Sequence, residues 1–398
     1  MRKAVEPDGT QQEMTSALEG WDKATGAERD WLEANRESVE ITLRATQHAA
    51  CVFHDPREMT LQTVLNDVQA TRDLGRLLVL DARRLESEGE LDAALEHYLA
   101  TLRMAQHVAA RGSQMQLFVG IALEALVDDM MPRWAAHREQ TPERIRHAIR
   151  KIQGLAEHAP GRSDAAVVEY LILRRLLLGD WSLLASVSDD QIAQIILWIM
   201  DRWMPWERQR SLRLLDVLIA EDLARSDSFQ KALAAGQAVP YSRLSSWGIG
   251  PQGENGKWLQ TTVVLRLHYP ALAYSAEAIT RSVTRQRALL LILALKGWQI
   301  EHGELPSSLD DLVGSYFSGL PTDPYSGGQF GYLPRGFEGP VEAGSRNQIG
   351  LPSEAIIEPG QPVIWSTLGL YGGLTRSGRG DDKGRPLLFL NGWPFVIP

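Results

Sequence analysis

The chain has 398 residues, of which 44% are apolar and 23% charged, with a formal net charge of -9. That length exceeds one ordinary core and predicts two or three domains; the composition is globular, neither disordered nor membrane-embedded. The acidic balance argues against a nucleic-acid surface, which needs a basic stripe to displace counterions. Arginines do gather between Arg202 and Arg213, but acids interleave them and a solvated helix face explains them. Cys51 is the single cysteine, so no intrachain disulfide and no cysteine-based zinc site can form, and it reads as a structural thiol. The polar start MRKAVEPDGTQQEM carries no signal-peptide stretch, and the longest apolar runs, 194–200 and 288–294, fall short of the roughly 18 residues a membrane helix needs.

From about Thr15 to Arg281 the spacing predicts helices, and the fold class expected is mainly α: an irregular helical bundle. Apolar spacing predicts one helix over 28–50, broken by His54-Asp55-Pro56. Leu61 to Glu88 forms an amphipathic run, Gly89 punctuates it, and Leu91 to Ala110 repeats the period. The string LESEGELDAALEHYLATLRMA has the form of one TPR-like hairpin, with alanines where helices approach closely; no second copy follows at a 34-residue period. A buried helix is expected over 116–129, ended by Pro132. Thr141 and Pro142 mark the next start as N-cap and first helical residue. Helices are further expected over 165–179, 189–203 and, opened by Pro205, 206–225.

Between Ala238 and Lys257, glycine and proline crowd into a long loop flanked by Trp247 and Trp258. Those rings could form a binding platform for a sugar or peptide, or pin the loop to the body. A domain boundary is placed near Arg281, giving a helical body over 1–281 and a small α+β module over 282–398. The module opens on a helix over 285–302 with an apolar face, and Gly303 lets the chain turn out of it. Ser307 or Ser308 can cap a short helix from Leu309 to Val313, and Asp323-Pro324 favours a tight turn. Strands are expected over 331–333, 363–367 and 387–390, building a small sheet packed on the helix.

The segment ALLLILALKGWQIEHGELPSSLDDLVGSYFSGLPTDPYSGGQFGY, with VIWSTLGLYGG and SGRGDDKG after it, resembles the globular part of type II secretion major pseudopilins. Glu301 to Pro306, Leu309 with Leu312, Leu320 to Tyr325, Trp365-Ser366 and Asp381-Asp382 carry the likeness, over roughly the last 115 residues. The whole chain also looks like a group of uncharacterised envelope-type proteins of planctomycete bacteria, in which a helical body precedes this module and a membrane helix commonly comes first. Some 280 residues precede the matching helix here and no pilin cleavage motif is present, so the likeness carries a module and not a pilin subunit. The resemblance implies a calcium loop, for which Asp381 and Asp382 are the candidate ligands. Arg379, Lys383 and Arg385 would repel a cation there, and a solvated hairpin tip explains the same string. No cofactor is otherwise expected.

No His-Glu-x-x-His pair, nucleophile elbow, phosphate loop or dinucleotide fingerprint occurs. Asp128-Asp129 and Glu221-Asp222 are acidic pairs on helices, where neighbours point about 100° apart, and helix-surface solubility accounts for them. The expected function is therefore a non-enzymatic interaction or scaffold protein of the bacterial cell envelope, linked to secretion or pilus-type machinery and binding protein partners. The alternatives are a hydrolase with a site assembled from distant residues, and a carbohydrate-binding or surface-structural protein. Nucleic acid is not an expected partner, and a membrane enters only through an anchor outside this chain. With such an anchor the body is periplasmic or envelope-bound; if Met1 is the true start, it is cytoplasmic.

Overall fold

The computed structural model describes residues 15–49, 51, 53, 55–59, 61–156, 162–179, 204–238, 275–339, 341–343, 355–367, 374–380, 386–390 and 392–398. Within them the fold is mainly helical. A short helix α1 (Thr15–Glu19) precedes α2 (Gly26–Ala34) and α3 (Arg36–Ala45). The single helix expected over 28–50 is thus two. Asn35 separates them because its side-chain amide donates to the Trp31 carbonyl at 2.8 Å, competing with the backbone for that acceptor.

The centre of the body is a hairpin of α4 (Leu61–Ser87) and α5 (Leu91–Ala109). Gly89 sits at φ 81° between them. The Glu90 N–H donates to the Leu85 carbonyl at 2.9 Å and the Gly89 N–H to Glu86 at 3.0 Å, a paired closure of the helix end that requires left-handed backbone at position 89. Helix α6 (Gln114–Ala135) lies against both, started by a capping box between Ser113 and Gln116. It does not stop at Pro132, as the sequence led one to expect, but runs through it to Ala135. The proline has no N–H to give the Asp128 carbonyl four residues back. Tertiary packing holds the turn instead: Trp134 is fully buried and its Nε1 donates to the Leu91 carbonyl at 3.0 Å.

Helix α7 (Pro142–Ala156) starts where Thr141 accepts from the Arg144 N–H at 3.3 Å. Helices α8 (Arg162–Leu178) and α9 (Pro205–Ala234) pack against each other as an antiparallel pair, joined by Tyr170 Oη donating to Asp216 at 2.7 Å and by Arg208 donating to the Leu178 carbonyl at 3.3 Å. Helix α9 is longer than the run expected to Arg225.

Helix α10 (Ser275–His302) passes unbroken through Arg281, the expected boundary. Every residue from Ala288 to Leu295 is buried, so this stretch is enclosed on all sides. Helices α6 and α7 cover it from the body; the strand Val363–Thr367 and the 3-10 turn Leu309–Leu312 cover it from the C-terminal side. One apolar core accordingly joins Leu95, Trp134 and Ile149 of the body to Leu291, Phe317 and Ile364 beyond it. The 3-10 turn is capped by Ser308, whose hydroxyl accepts from the Asp310 N–H at 3.2 Å.

The described strands form two small sheets. β1 (Gly331–Leu333), β4 (Val363–Thr367) and β7 (Gly392–Val396) are antiparallel in the order β1-β4-β7, pairing Tyr332 with Ile364 and Ile364 with Phe395. β2 (Val341–Ala343), β3 (Ala355–Ile357), β5 (Leu374–Gly380) and β6 (Pro386–Leu390) form a mixed sheet in the order β3-β2-β6-β5, with β2 and β6 parallel. Asp323 fastens the turn before β1 to the first sheet. Fully buried, its carboxylate accepts from the Tyr325 N–H at 3.1 Å, Ser326 Oγ at 2.8 Å and Ser366 Oγ of β4 at 2.7 Å.

Candidate functional site: an acidic seam between two helices

Asp381, Asp382, Trp247 and Trp258 lie outside the described residues. Among the described residues no group of three or more His, Cys, Asp or Glu side chains could hold a metal ion, and no helix is long and apolar enough to cross a membrane. Cys51 is partly buried, and burial pushes its thiol up.

Among the described residues of the helical body, two polar networks stand out. The first lies between α4 and α5. Tyr98 is fully buried and donates to Glu86 at 2.5 Å, while Arg83 pairs with the same carboxylate from one turn away. Next to it Asp81 accepts from Arg84 at 2.7 Å and meets His97 Nε2 at 3.0 Å; His97 Nδ1 lies 2.8 Å from the Ala93 carbonyl. With an oxygen partner on each ring nitrogen, His97 has neither free for a substrate or metal. Burial acts to raise Asp81, but the His97 and Arg84 hydrogen bonds outweigh it and the carboxyl sits below its ordinary value. Glu86 goes the other way: burial raises it against the opposing Arg83 charge and Tyr98 hydrogen bond.

The second network lies where α6 crosses α10, and its chemistry is less complete. Glu124 and Asp128 stand four residues apart on one face of α6, and Asp129 follows. From α10, Ser282 donates to Glu124 at 2.5 Å. Arg285 donates to Asp129 at 2.5 Å and to the Ala125 carbonyl at 3.4 Å. It approaches Asp128 Oδ2 only to 4.0 Å, too far for a hydrogen bond. That oxygen is fully enclosed without a donor, on a side chain 6% exposed. Burial therefore holds the Asp128 carboxyl well above its ordinary range; Arg285 draws it back, and the Glu124 and Asp129 charges add to the rise. Burial raises Glu124 as well, opposed by the Ser282 hydrogen bond.

This corrects the reading of Asp128-Asp129 as a solubility pair: Asp129 is exposed, but Asp128 is buried. The signal in the sequence was its phase. At 100° per residue, position 128 falls just past the arc of Leu123, Val127, Met130 and Met131, and in line with Leu117 and Ala135, which are also buried.

A third polar cluster joins the body to the C-terminal side. Arg146 of α7 pairs with Glu301 of α10 and lies 5.0 Å above the Tyr316 ring, while Tyr316 Oη donates to Glu301 at 2.8 Å. Gly297 makes room for that tyrosine, because a Cβ there would collide with its ring. Outside these clusters, α8 and α9 present apolar side chains to solvent: Leu178 is 50% and Trp206 60% exposed, with Val167 and Val217 also exposed.

Compared with known proteins, the chain matches no family model, no curated protein and no solved structure.

Proposed function

We propose that this is a non-enzymatic interaction or scaffold protein of the bacterial cell envelope, binding protein partners through its helical body and carrying a pseudopilin-like module at its C-terminal end. The observation that carries the reading is the α8–α9 pair. Val167, Leu171 and Leu178 recur at four- and seven-residue steps along α8, and Trp206 and Val217 stand eleven residues, or three turns, apart on α9. Val167, Leu178, Trp206 and Val217 are exposed. Isolated apolar residues on a surface need no explanation, but rows in phase on two neighbouring helices, one including a tryptophan, have the character of a protein-binding face.

Two further features support the finer parts of the reading. The α4–α5 hairpin has buried alanines at Ala94, Ala100 and Ala105 where helices approach, in keeping with a TPR-like unit. The order of α10, Gly303, the Ser308-capped turn, the Asp323 turn and an antiparallel sheet is the order on which the pseudopilin resemblance rests. The link to secretion or pilus-type machinery, and the envelope location, depend on that resemblance alone.

The test uses the whole chain and a Leu178→Ser/Trp206→Ser double variant in crosslinked pull-downs from the native envelope. The expected result is a defined set of secretion or pilus components captured by the parent chain and lost by the variant, with equal helical circular dichroism. Identical capture by both chains, or none by either, would overturn the reading.

A further inference from the structure

We infer that the crossing of α6 and α10 is a proton-operated latch, in which a proton carried by Asp128 keeps the first half of α10 seated on the helical body and loss of that proton releases it. The geometry leaves little alternative for this side chain. Oδ2 of Asp128 is enclosed with no donor, so at that oxygen the charged form has nothing to replace the water it has lost. The nearest cation, Arg285, is already committed to Asp129 and to the Ala125 carbonyl. Ser282, one turn before Arg285 on α10, donates to Glu124 and not to Asp128.

The charged side chains that reach Asp128 are Arg285 from α10 and Glu124 and Asp129 from its own helix. Toward α4 and α5 the neighbouring positions of α6 are apolar: Leu123 packs into one core of the hairpin, and Val127, Met131 and Trp134 into the other, while α8 meets α6 nearer its start, through Leu117 and Ala165. If Asp128 ionises, three carboxylates within two helical turns share one guanidinium. Their repulsion and the cost of an unsolvated charge fall on the interface that joins α10 to the body.

The sign follows from proton linkage. A carboxyl whose folded value is raised binds its proton more tightly when folded, so its contribution to stability is complete below the unfolded value of about 3.9 and is lost as pH rises toward the folded value. Within that window one proton changes the opening equilibrium about tenfold per pH unit. Glu124 and Glu86 are raised too and slope in the same direction, so the assignment rests on variants and not on the parent profile alone.

The experiment is amide exchange of the full-length chain from pH 5 to pH 8.5, expressed as protection factors for 278–289, with α5 amides as the internal reference. Parent, Asp128→Asn and Glu124→Gln chains are compared. In the parent, protection of the first half of α10 should fall with rising pH relative to α5. Asp128→Asn should hold that protection nearly constant, its slope flatter by up to a decade per pH unit, and Glu124→Gln should keep most of the parent slope. A parent profile without pH dependence would overturn the latch. So would Asp128→Asn tracking the parent, or the flat profile arising in Glu124→Gln instead.

Discussion

The α4–α5 network and the α6–α10 seam have similar side chains and opposite bookkeeping of donors. In the first, two carboxylates have four partners: Arg83 and Tyr98 donate to Glu86, Arg84 donates to Asp81, and His97 Nε2 lies 3.0 Å from Asp81. In the second, Ser282 and Arg285 face three carboxylates, and the most deeply buried of them receives no hydrogen bond. A buried carboxylate met by charged donors can stay ionised and hold helices in register; one without donors must hold a proton or open its surroundings. The comparison separates the polar groups that fix the body from those that make one of its joints sensitive to conditions.

Cutting the donor-rich network should cost most. Glu86→Ala leaves Arg83 and Tyr98 buried without their acceptor, and uncompensated buried charge costs about 3–5 kcal/mol. Urea unfolding should show a loss of that order. A loss below about 1 kcal/mol would mean that Arg83 reaches water when Glu86 is removed, and that the network is not sealed.

The shift of Asp81 runs opposite to that of Asp128. Its folded value is lowered, so its contribution to stability is present above the unfolded value, near 3.9, and is lost as pH falls through the folded value. Asp81→Asn should lower stability at pH 7 by about 1–3 kcal/mol, the cost of breaking partly buried charged hydrogen bonds. Its melting temperature should also decline less steeply than the parent's below about pH 4. An unchanged acid limb would place the acid sensitivity elsewhere, for instance at Asp92, which Arg144 holds below its ordinary value.

Much of this architecture was legible in the sequence where a local rule and the packing agree. The hairpin ends fell at Gly89, the Ser308 cap and the Asp323 turn came from turn chemistry, and the strands at 331–333 and 363–367 came from short apolar runs bounded by turn residues. Expectation failed where tertiary contacts override local preference. Trp134 holds a helical turn beyond Pro132, and Asn35 breaks a helix whose apolar spacing is otherwise continuous. The seam was invisible for another reason. The partners of Glu124 and Asp129 lie more than 150 residues away on α10, and no periodicity within α6 reveals whether an acid at a buried phase will meet a donor. The candidate residues that the sequence offers, Asp381, Asp382, Trp247 and Trp258, lie outside the described residues, while of the seam's acids Asp128 and Asp129 read as a surface pair.

Gly89 tests the hairpin on which the donor-rich network depends. Its φ of 81° is left-handed, and a Cβ there would also stand 3.0 Å from the Glu139 carboxylate. Gly89→Ala should cost about 1 kcal/mol, and Gly89→Asn less, because asparagine tolerates this conformation better. Equal losses for the two would show that contact with Glu139, and not backbone conformation, sets the cost.

The smallest effect belongs to the exposed counterpart of these buried pairs. Arg144 of α7 grips Asp92 at the start of α5 through two hydrogen bonds, at 2.7 and 3.2 Å, and this pair lowers the Asp92 carboxyl. Its geometry is as good as any in the buried network, but Asp92 is 77% exposed and water competes for both partners. Geometry alone would make Arg144→Ala as damaging as Glu86→Ala; solvent screening predicts about 0.2–1 kcal/mol, shrinking further in high salt. A loss in the range expected for Glu86→Ala, insensitive to salt, would mean that burial is not what separates the strong networks from the weak ones, and the contrast between hairpin and seam would have to be rebuilt on donor count alone.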